Sequence, residues 1–530
     1  KAKDSWFLPF NQGFNDGAGN PPNESGLKTD YLWKRILTKS GLTDIIENYA
    51  QVVEEKDDKS RKKQKQIFPR YHQLDVVRKL LADAKAHGVG KRYLIQHSAG
   101  SGKSNSIAWL AHQLIGLEKG GQAIFDTVVV ITDRRVLDKQ IRNTIRQFAQ
   151  VSSVIGAVTG DSGSKTRQLS GFLRAGKKIV ISTVQTFPFI LDEIGDEHRG
   201  KTFAIIIDEA HSSQGGKTSA KMHMALSEQG GGDQEEETFE DKINKIMESR
   251  KMLANASYFA FTATPKNKTL EIFGIPCEPV DGKVAHRPFH SYTMKQAIQE
   301  GFILDVLANY TPVESYYRLM KTVEDDPEFD TKKAKKKLRR YVESHDHAIR
   351  QKAEIMVDHF HEQVIARRKI GGRARAMVVC SGIKRAIQYY EAISAYLKDR
   401  KSPCRAIVAF SDFGEDGKKV TEASLNGFPR SRIEAYFKAR EVKDVPGKDP
   451  YRFLVVADKF QTGYDEPLLH TMYVDKMLSG IKAVQTLSRL NRAHPLKTDT
   501  FVLDFINDAD TIATAFADYY RTTVLSEETD

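Results

Sequence analysis

The sequence is poor in cysteine, with Cys277, Cys380 and Cys404 as the only three in 530 residues. They are far apart and show no Cys-x-x-Cys spacing, which argues against a structural zinc site and a disulfide framework. Isolated buried thiols in a reducing cytoplasm fit this usage. The sequence also has no apolar run approaching the roughly 18–20 residues of a membrane helix. We therefore expect no membrane partner.

Basic residues outnumber acidic ones, 81 Lys and Arg against 69 Asp and Glu, for a net charge of +12. This balance favours a polyanionic partner such as DNA, although many basic proteins bind no nucleic acid. The first 65 residues are polar and then highly charged, and we expect them to form a surface connector. A later basic run, residues 332–340, either tracks phosphates or is a helix face exposed to water.

Short apolar runs rich in β-branched residues alternate with helical patterns from residue 68 onward. Such near-continuous runs are typical of parallel strands covered by helices on both faces. The sequence therefore predicts an α/β fold with two doubly wound parallel-sheet units, separated by a charged helical insertion at about 314–365. The predicted strands are 93–96, 127–131, 179–182, 203–207 and 258–262 in the first unit, and 375–380, 405–409, 452–456 and 500–504 in the second.

A glycine-rich segment, Gln96-His-Ser-Ala-Gly-Ser-Gly-Lys-Ser104, follows the first predicted strand and opens a helical pattern. This context predicts a phosphate-binding loop for ATP, although the glycine that usually comes first is His97 here. The glycines let backbone N–H groups close around phosphate oxygens, and the helix N-terminus adds partial positive charge. The lysine supplies charge to the β- and γ-phosphates, and the serine after it offers a hydroxyl to Mg²⁺. The predicted nucleotide-binding residues are Gly100, Ser101, Gly102, Lys103 and Ser104.

Two carboxylates, Asp208 and Glu209, directly follow the apolar strand 203–207. They come at the carboxyl edge of the predicted sheet, where α/β proteins bind ligands. We expect Asp208 to hold Mg²⁺ and Glu209 to orient and deprotonate the attacking water. His211 is either part of this site or a core histidine satisfied by hydrogen bonds, and its place beside the carboxylates favours the site.

Gln73 lies about thirty residues before the glycine-rich segment. Its amide can hydrogen-bond both the donor and the acceptor edge of adenine, so Gln73 is the candidate adenine reader, with Tyr71 or Phe68 as a stacking ring. The alternative is a surface glutamine that starts a helix.

These residues resemble the motifs of superfamily 2 helicases and translocases, and further motifs follow in that family's order. They are Thr262-Ala-Thr-Pro265, Ala457-Asp-Lys-Phe-Gln-Thr-Gly-Tyr-Asp465 and Gln485-Thr-Leu-Ser-Arg-Leu-Asn-Arg492, with Ser488 where the family usually has glycine. The resemblance implies coupling roles for His211, Thr262, Thr264 and Gln485, nucleotide contacts for Gly463 and Asp465, and charge stabilisation in the transition state by Arg489 and Arg492.

Within that superfamily, the chain resembles the restriction (R, motor) subunit of type I restriction–modification enzymes. The similarity lies in Phe10-Asn-Gln-Gly-Phe14, Ala297-Ile-Gln-Glu-Gly-Phe302 and Leu487–Arg492. It implies ATP-dependent translocation on double-stranded DNA in a prokaryotic cytoplasm, with methyltransferase and specificity subunits as partners. We find no copy of the family's Asp…Glu-x-Lys nuclease cluster, so we expect this chain to hydrolyse ATP without cutting DNA by itself.

The resemblance also implies two RecA-like domains in tandem with ATP between them. The expected domains are a connector from a missing N-terminal nuclease at 1–65, the ATP-binding motor domain 1 at 66–295, motor domain 2 at 296–510 with the insertion, and the start of a C-terminal helical region at 511–530.

A translocating motor has to grip phosphates rather than bases, because it cannot prefer a sequence. Short hydroxyls and arginines that follow strands suit this grip, although turn capping is the alternative for each hydroxyl. The candidate DNA contacts are Arg134, Arg135, Thr183, Thr186, Ser381 and Thr462.

Two rival functions are open. One is a superfamily 2 DNA helicase or a repair or remodelling translocase. The other is a nucleotide-gated DNA-binding scaffold with little hydrolysis, against which the presence of Lys103, Asp208, Glu209, Arg489 and Arg492 argues.

Overall fold

The computed structural model describes most of the chain, and the described residues divide into two compact units. Unit 1 is Lys1–Glu300 with Tyr519–Asp530, and unit 2 is Gly301–Asp518. The described residues are 9–56, 62–132, 144–146, 154–158, 164–196, 198–208, 243–244, 247, 253–280, 283–313, 345–410, 413–415, 418–439, 445–447, 449–461 and 464–521.

The strands of unit 1 form one large parallel sheet and small antiparallel hairpins. They are β1 (Gln51–Lys56), β2 (Lys62–Ile67), β3 (Arg92–His97), β4 (Glu118–Lys119), β5 (Gln122–Ala123), β6 (Thr127–Thr132), β7 (Ile155–Ala157), β8 (Ile179–Thr183), β9 (Phe203–Ile207), β10 (Ala256–Thr262), β11 (Ile275–Val280), β12 (Lys283–Arg287) and β13 (His290–Tyr292). The sheet has the order β13-β3-β10-β9-β6-β8-β7, and all its neighbours are parallel. The pairs β1–β2, β4–β5 and β11–β12 are antiparallel.

Both faces of this sheet are buried. Successive residues of a strand point to opposite sides of the sheet, and here they belong to two different buried clusters. Ile95 and Val128 belong to one apolar cluster, whereas their neighbours Leu94 and Val129 belong to another. Helices cover both faces, as a doubly wound fold requires. The helices of unit 1 are α1 (Lys39–Asn48), α2 (Tyr71–His87), α3 (Lys103–Ile115), α4 (Lys165–Arg174), α5 (Phe187–Asp196), α6 (Asn267–Phe273) and α7 (Met294–Gln299), with a π-helix at Leu32–Ile36 and a 3-10 turn at Val184–Thr186.

Unit 2 repeats the architecture with another parallel sheet. Its strands are β14 (Tyr310–Pro312), β15 (Arg375–Cys380), β16 (Arg405–Ala409), β17 (Phe413–Glu415), β18 (Lys418–Val420), β19 (Tyr451–Val456), β20 (Leu469–Asp475) and β21 (Phe501–Asp504). The sheet order is β14-β21-β20-β15-β19-β16, with β17–β18 as a separate antiparallel pair.

Two long helices of unit 2, α8 (His345–His359) and α10 (Ile383–Asp399), contribute to its apolar core through residues such as Met356 and Ile393. The remaining helices are shorter elements. They are a π-helix at Phe360–Ile365, α9 (Lys369–Gly372), α11 (Glu422–Asn426), a 3-10 turn at Arg430–Arg432, α12 (Ile433–Phe437) and α13 (Gly480–Leu487), and α14 (Ala509–Tyr520) runs from unit 2 into unit 1.

The predicted fold class is confirmed, and every predicted strand is present within two residues of its expected ends. Of the strands in the two large sheets, the sequence analysis missed β7, β13, β14 and β20. In β20, His470 and Thr471 interrupt the apolar pattern, but both are buried because His470 bonds the Thr471 hydroxyl at 2.8 Å and Asp499 at 3.1 Å. A search for apolar runs does not find a strand whose buried polar side chains have their own hydrogen-bond partners.

The flanking segments differ from simple surface regions where they are described. The stretch expected to be a connector contributes Ile45 and Tyr49 to the core of unit 1, and the Tyr49 carbonyl accepts from the Trp109 indole at 2.9 Å. The expected insertion is helical over 345–365, whereas 314–344, with its basic run, lies outside the described residues.

Candidate functional site

A tight loop of residues 98–102 connects the end of β3 to the start of α3, as the sequence predicts. Gly100 and Gly102 have φ angles of +89° and +82°, which side-chain-bearing residues rarely adopt. A Cβ on Gly102 would lie only 2.5 Å from Nε2 of Gln73. The backbone conformation thus requires glycine at Gly102, and a Cβ there would also displace the Gln73 amide from the loop.

The side chains of this loop form a buried, donor-rich surface. Lys103 is buried, and its Nζ donates to the carbonyls of His97 at 3.2 Å and Ser98 at 3.5 Å. The hydroxyls of Ser98 and Ser101 are buried without a hydrogen-bond partner among the described residues. Buried polar groups normally have partners, so this donor set fits the oxygens of a triphosphate. Ser104, the predicted Mg²⁺ ligand, is half-buried at the first turn of α3.

Gln73, the predicted adenine reader, uses its amide within unit 1. Its Nε2 donates to the carbonyls of Gly102 at 3.0 Å and Ser101 at 3.3 Å, and its Oε1 accepts from the Arg70 backbone N–H at 2.9 Å. Its neighbour His72 also contacts the Ser101 carbonyl, at 3.0 Å. The start of α2 therefore holds the loop through its Ser101 and Gly102 carbonyls, a role that the sequence analysis did not assign to α2.

The two rings proposed for stacking differ in exposure. Tyr71 is buried, with the edges of Phe10 and Tyr31 against it and its hydroxyl accepting from Arg35 at 2.6 Å. Phe68 is half exposed. Of the two, only Phe68 presents a ring that a ligand can reach.

Asp208 and the predicted coupling residues Thr262 and Thr264 lie at the same sheet edge as the loop at 98–102. Asp208 is buried directly after β9, and Thr262 ends β10, the strand between β3 and β9. The Thr262 hydroxyl accepts from the backbone N–H of Thr264 at 3.2 Å, and both threonines are buried. Glu209 and His211 lie outside the described residues.

The predicted DNA contacts of unit 1 are internal where they are described. Thr183 and Thr186 are buried, and the Thr186 hydroxyl donates to the Thr183 carbonyl at 2.6 Å and contacts the Ser182 hydroxyl. This bonding matches the turn-cap alternative for Thr186. Arg134 and Arg135 lie outside the described residues.

The candidate residues of unit 2 follow β15 and β19. Ser381 is exposed directly after β15. Asp465 accepts from Nε of Arg492 at 2.9 Å, so the predicted nucleotide ligand and the predicted catalytic arginine form an ion pair. Thr462 and Gly463 lie outside the described residues.

The segment Gln485–Arg492 is anchored from within unit 2. Gln485 and Arg489 are buried, and Nε of Arg489 donates to the Gln485 carbonyl at 3.0 Å. Lys497, which no motif indicated, donates to the carbonyls of Leu490 at 2.5 Å and Arg492 at 3.0 Å. Burial lowers the pKa of Lys497 to about 7. A buried lysine amine thus holds the turn that carries both arginines.

A family model described as SWI2/SNF2 ATPase matches residues 72–340, just over half of the chain. The chain belongs to the SWI2/SNF2 ATPase family. A second family model, described as type I restriction enzyme subunit R domain 3, matches residues 422–507 of this SWI2/SNF2 ATPase. The resemblance to superfamily 2 motors and to type I restriction subunits is therefore confirmed.

Relatives of this ATPase include two proteins named as type I restriction enzyme endonuclease subunits. MjaIXP from Methanocaldococcus jannaschii is 25% identical over 92% of this chain and 42% of its own length. HindI from Haemophilus influenzae is 23% identical over 81% of this chain and 38% of its own length. The chain thus spans less than half of either relative.

Among solved structures, a fragment of an HsdR subunit from Vibrio vulnificus YJ016 matches with a TM-score of 0.48 and 16% identity. The match covers 85% of this chain and 66% of that one. In the part of this ATPase that the structure describes, no helix combines the length and apolar character needed to cross a membrane.

Proposed function

We propose that this chain is the motor core of a type I restriction enzyme's R subunit and translocates along double-stranded DNA by hydrolysing ATP. The observation that carries the proposal is the phosphate loop with buried Lys103, which shares one sheet edge with Asp208 in a chain of the SWI2/SNF2 family. The match of residues 422–507 to subunit R domain 3 supports the type I assignment.

In this proposal the chain's residues divide the work of phosphoryl transfer to water. Lys103 and the loop N–H groups bind the phosphates, and Ser104 and Asp208 would hold Mg²⁺, which would supply positive charge next to the phosphates. Glu209 orients the attacking water and accepts its proton. Arg489 and Arg492 stabilise the transition state, a role worth about 10³–10⁵ in rate.

We further propose that the DNA grip is made to phosphates, which hold a duplex without reading its sequence. Ser381, the exposed candidate, leads this set, followed by Arg134, Arg135 and Thr462. Thr183 and Thr186 would reach phosphate only if their present contacts opened. Methyltransferase and specificity subunits in a prokaryotic cytoplasm complete the proposed setting.

Single substitutions in the nucleotide site test the hydrolysis. We expect Lys103→Ala and Glu209→Gln to abolish duplex-stimulated phosphate release, and Glu209→Gln still to bind ATP because it removes the base and leaves the phosphate contacts. Lys91→Ala is the control, since Lys91 is exposed just before β3, at the opposite end of that strand from the loop. Turnover by Glu209→Gln at the wild-type rate would refute the assignment of the base.

Displacement assays test what the motor does on DNA. A translocase should displace a third strand from a triplex without releasing single strands from the underlying duplex. Released single strands would instead indicate a helicase, and duplex binding with no stimulated phosphate release would indicate a nucleotide-gated scaffold.

A further inference from the structure

Three buried histidines lie beneath the phosphate loop in unit 1, and two of them form a hydrogen-bonded chain to a carboxylate. Nε2 of His97, the last residue of β3, lies 2.9 Å from Nδ1 of His290 on β13. Nε2 of His290 lies 3.2 Å from Oδ2 of Asp75 on α2. The third, His72, is stacked on Tyr292 with 3.6 Å between ring centroids.

Asp75, at one end of this row of hydrogen bonds, fixes which ring nitrogens of His290 and His97 carry protons. Burial opposes ionisation of Asp75, but hydrogen bonds from His290 and Lys79 and the charge of Lys79 lower its pKa, so it only accepts. His290 must then donate through Nε2. Burial lowers the pKa of both histidines, so each is neutral and carries a single ring proton. His290 therefore accepts at Nδ1, and His97 donates through its own Nε2.

The proton order leaves one ring nitrogen of His97 without a proton. Nδ1 of His97 is buried and has no hydrogen-bond partner among the described residues. It is the ring nitrogen nearer to the backbone, and the Lys103 ammonium is bonded to the carbonyl of this same residue at 3.2 Å. A lone pair attracts that ammonium, whereas an N–H would repel it.

We propose that Asp75 is a positioning residue of the phosphate loop. Acting through His290, it holds His97 in the Nε2–H tautomer, so that Nδ1, the ring nitrogen nearer to the backbone whose carbonyl bonds the Lys103 ammonium, carries a lone pair rather than a proton. The proposal rests on the proposed function, because it assigns the relay to the ATP site. It also gives a use to the histidine that replaces the usual first glycine. Helix α2 then secures the loop twice, through the Gln73 amide and through this relay.

The tautomers can be measured in the nucleotide-free protein. In chain labelled with ¹⁵N-histidine, correlation spectra of the rings should show the proton on Nε2 of both His97 and His290, with signals assigned from His97→Gln and His290→Gln. A proton on Nδ1 of His97 in the wild type would overturn the proposal, and this result needs no variant of Asp75 to fold.

Nucleotide binding tests whether the tautomer matters. Asp75→Asn lets an amide N–H donate to His290 and invert both rings, so a fluorescent ATP analogue should bind roughly two- to tenfold more weakly. The matched control is Asp83→Asn, on the same helix, whose carboxylate accepts from the Tyr93 hydroxyl at 2.8 Å. We expect the control to bind as the wild type does.

The outcomes separate this inference from the proposed function. Equal affinity in Asp75→Asn and the wild type would overturn the positioning role, whatever the spectra show. Failure of the wild type itself to bind the analogue would refute the ATP site, and the relay's role with it, while leaving the measured tautomers standing. Weakened binding in Asp75→Asn with inverted rings, beside an unchanged Asp83→Asn, supports the proposal.

Discussion

At the scale of single residues, burial sets protonation states that no motif reveals. His359 is buried with its Nδ1 2.8 Å from the Tyr473 hydroxyl and its ring stacked on Phe501. Burial lowers the pKa of His359 from 6.5 to about 3. Between these values the unfolded chain binds a proton that the folded chain does not, so acidification through this window favours unfolding.

We therefore expect His359→Gln to lose less stability on acidification than the wild type. Glutamine can still bond Tyr473 but cannot take up a proton, and the titration of His359 between pH 7 and pH 5 is worth about 2 kcal/mol. Urea unfolding followed by circular dichroism at both pH values measures the difference. An identical pH dependence in wild type and His359→Gln would contradict the assignment.

At the scale of elements, the sequence predicted the strand, loop and helix around the phosphate loop but not the long-range contacts that hold the loop in place. The strand, the two glycines and the helix of the phosphate loop follow a local pattern that is readable without coordinates. The contacts of His72 and Gln73 with the Ser101 carbonyl join residues 29 and 28 positions apart. Such contacts depend on how α2 packs against the loop, which the sequence does not show. The sequence therefore predicted an adenine contact for Gln73 but not its hydrogen bonds to the loop carbonyls.

Gly102 should be intolerant of the smallest side chain. Gly102→Ala forces a residue with a Cβ to φ +82°, at about 1–2 kcal/mol, and drives that atom into the Gln73 amide. We expect a less stable chain that loses ATP binding, measured by urea unfolding and by titration with a fluorescent nucleotide.

The other end of the same helix supplies the control. Gly116 has φ −88°, and the nearest atom to an added Cβ is 4.0 Å away, so Gly116→Ala should change neither measurement. Adding Gln73→Ala to Gly102→Ala removes the clash and leaves the backbone strain. Gly102→Ala should therefore cost less stability in a Gln73→Ala background than in the wild type, and an equal cost in both backgrounds would show that the clash is unimportant.

At the scale of the whole molecule, the charge balance predicts a partner more securely than any single contact. The net charge of +12 belongs to the chain as a whole. Of the candidate grip residues, the exposed Ser381 is the one that the structure describes at the surface. Charges at named positions can be read from a sequence, but which of them share one surface is decided by the fold, so the sequence indicates a polyanionic partner without locating its contacts.

DNA affinity should consequently fall steeply with salt and depend little on sequence. Each phosphate neutralised by a basic side chain contributes about 0.9 to the slope of log affinity against log salt concentration. We expect Arg134→Ala to lower that slope by about one and to weaken two unrelated duplexes equally, because a phosphate contact carries no sequence information. Fluorescence anisotropy from 50 to 200 mM salt measures both effects, with Lys398→Ala, on an exposed part of α10, as the matched loss of charge. A flat salt response in the wild type would remove the phosphate grip, whereas a change confined to one duplex would mean that Arg134 reads bases.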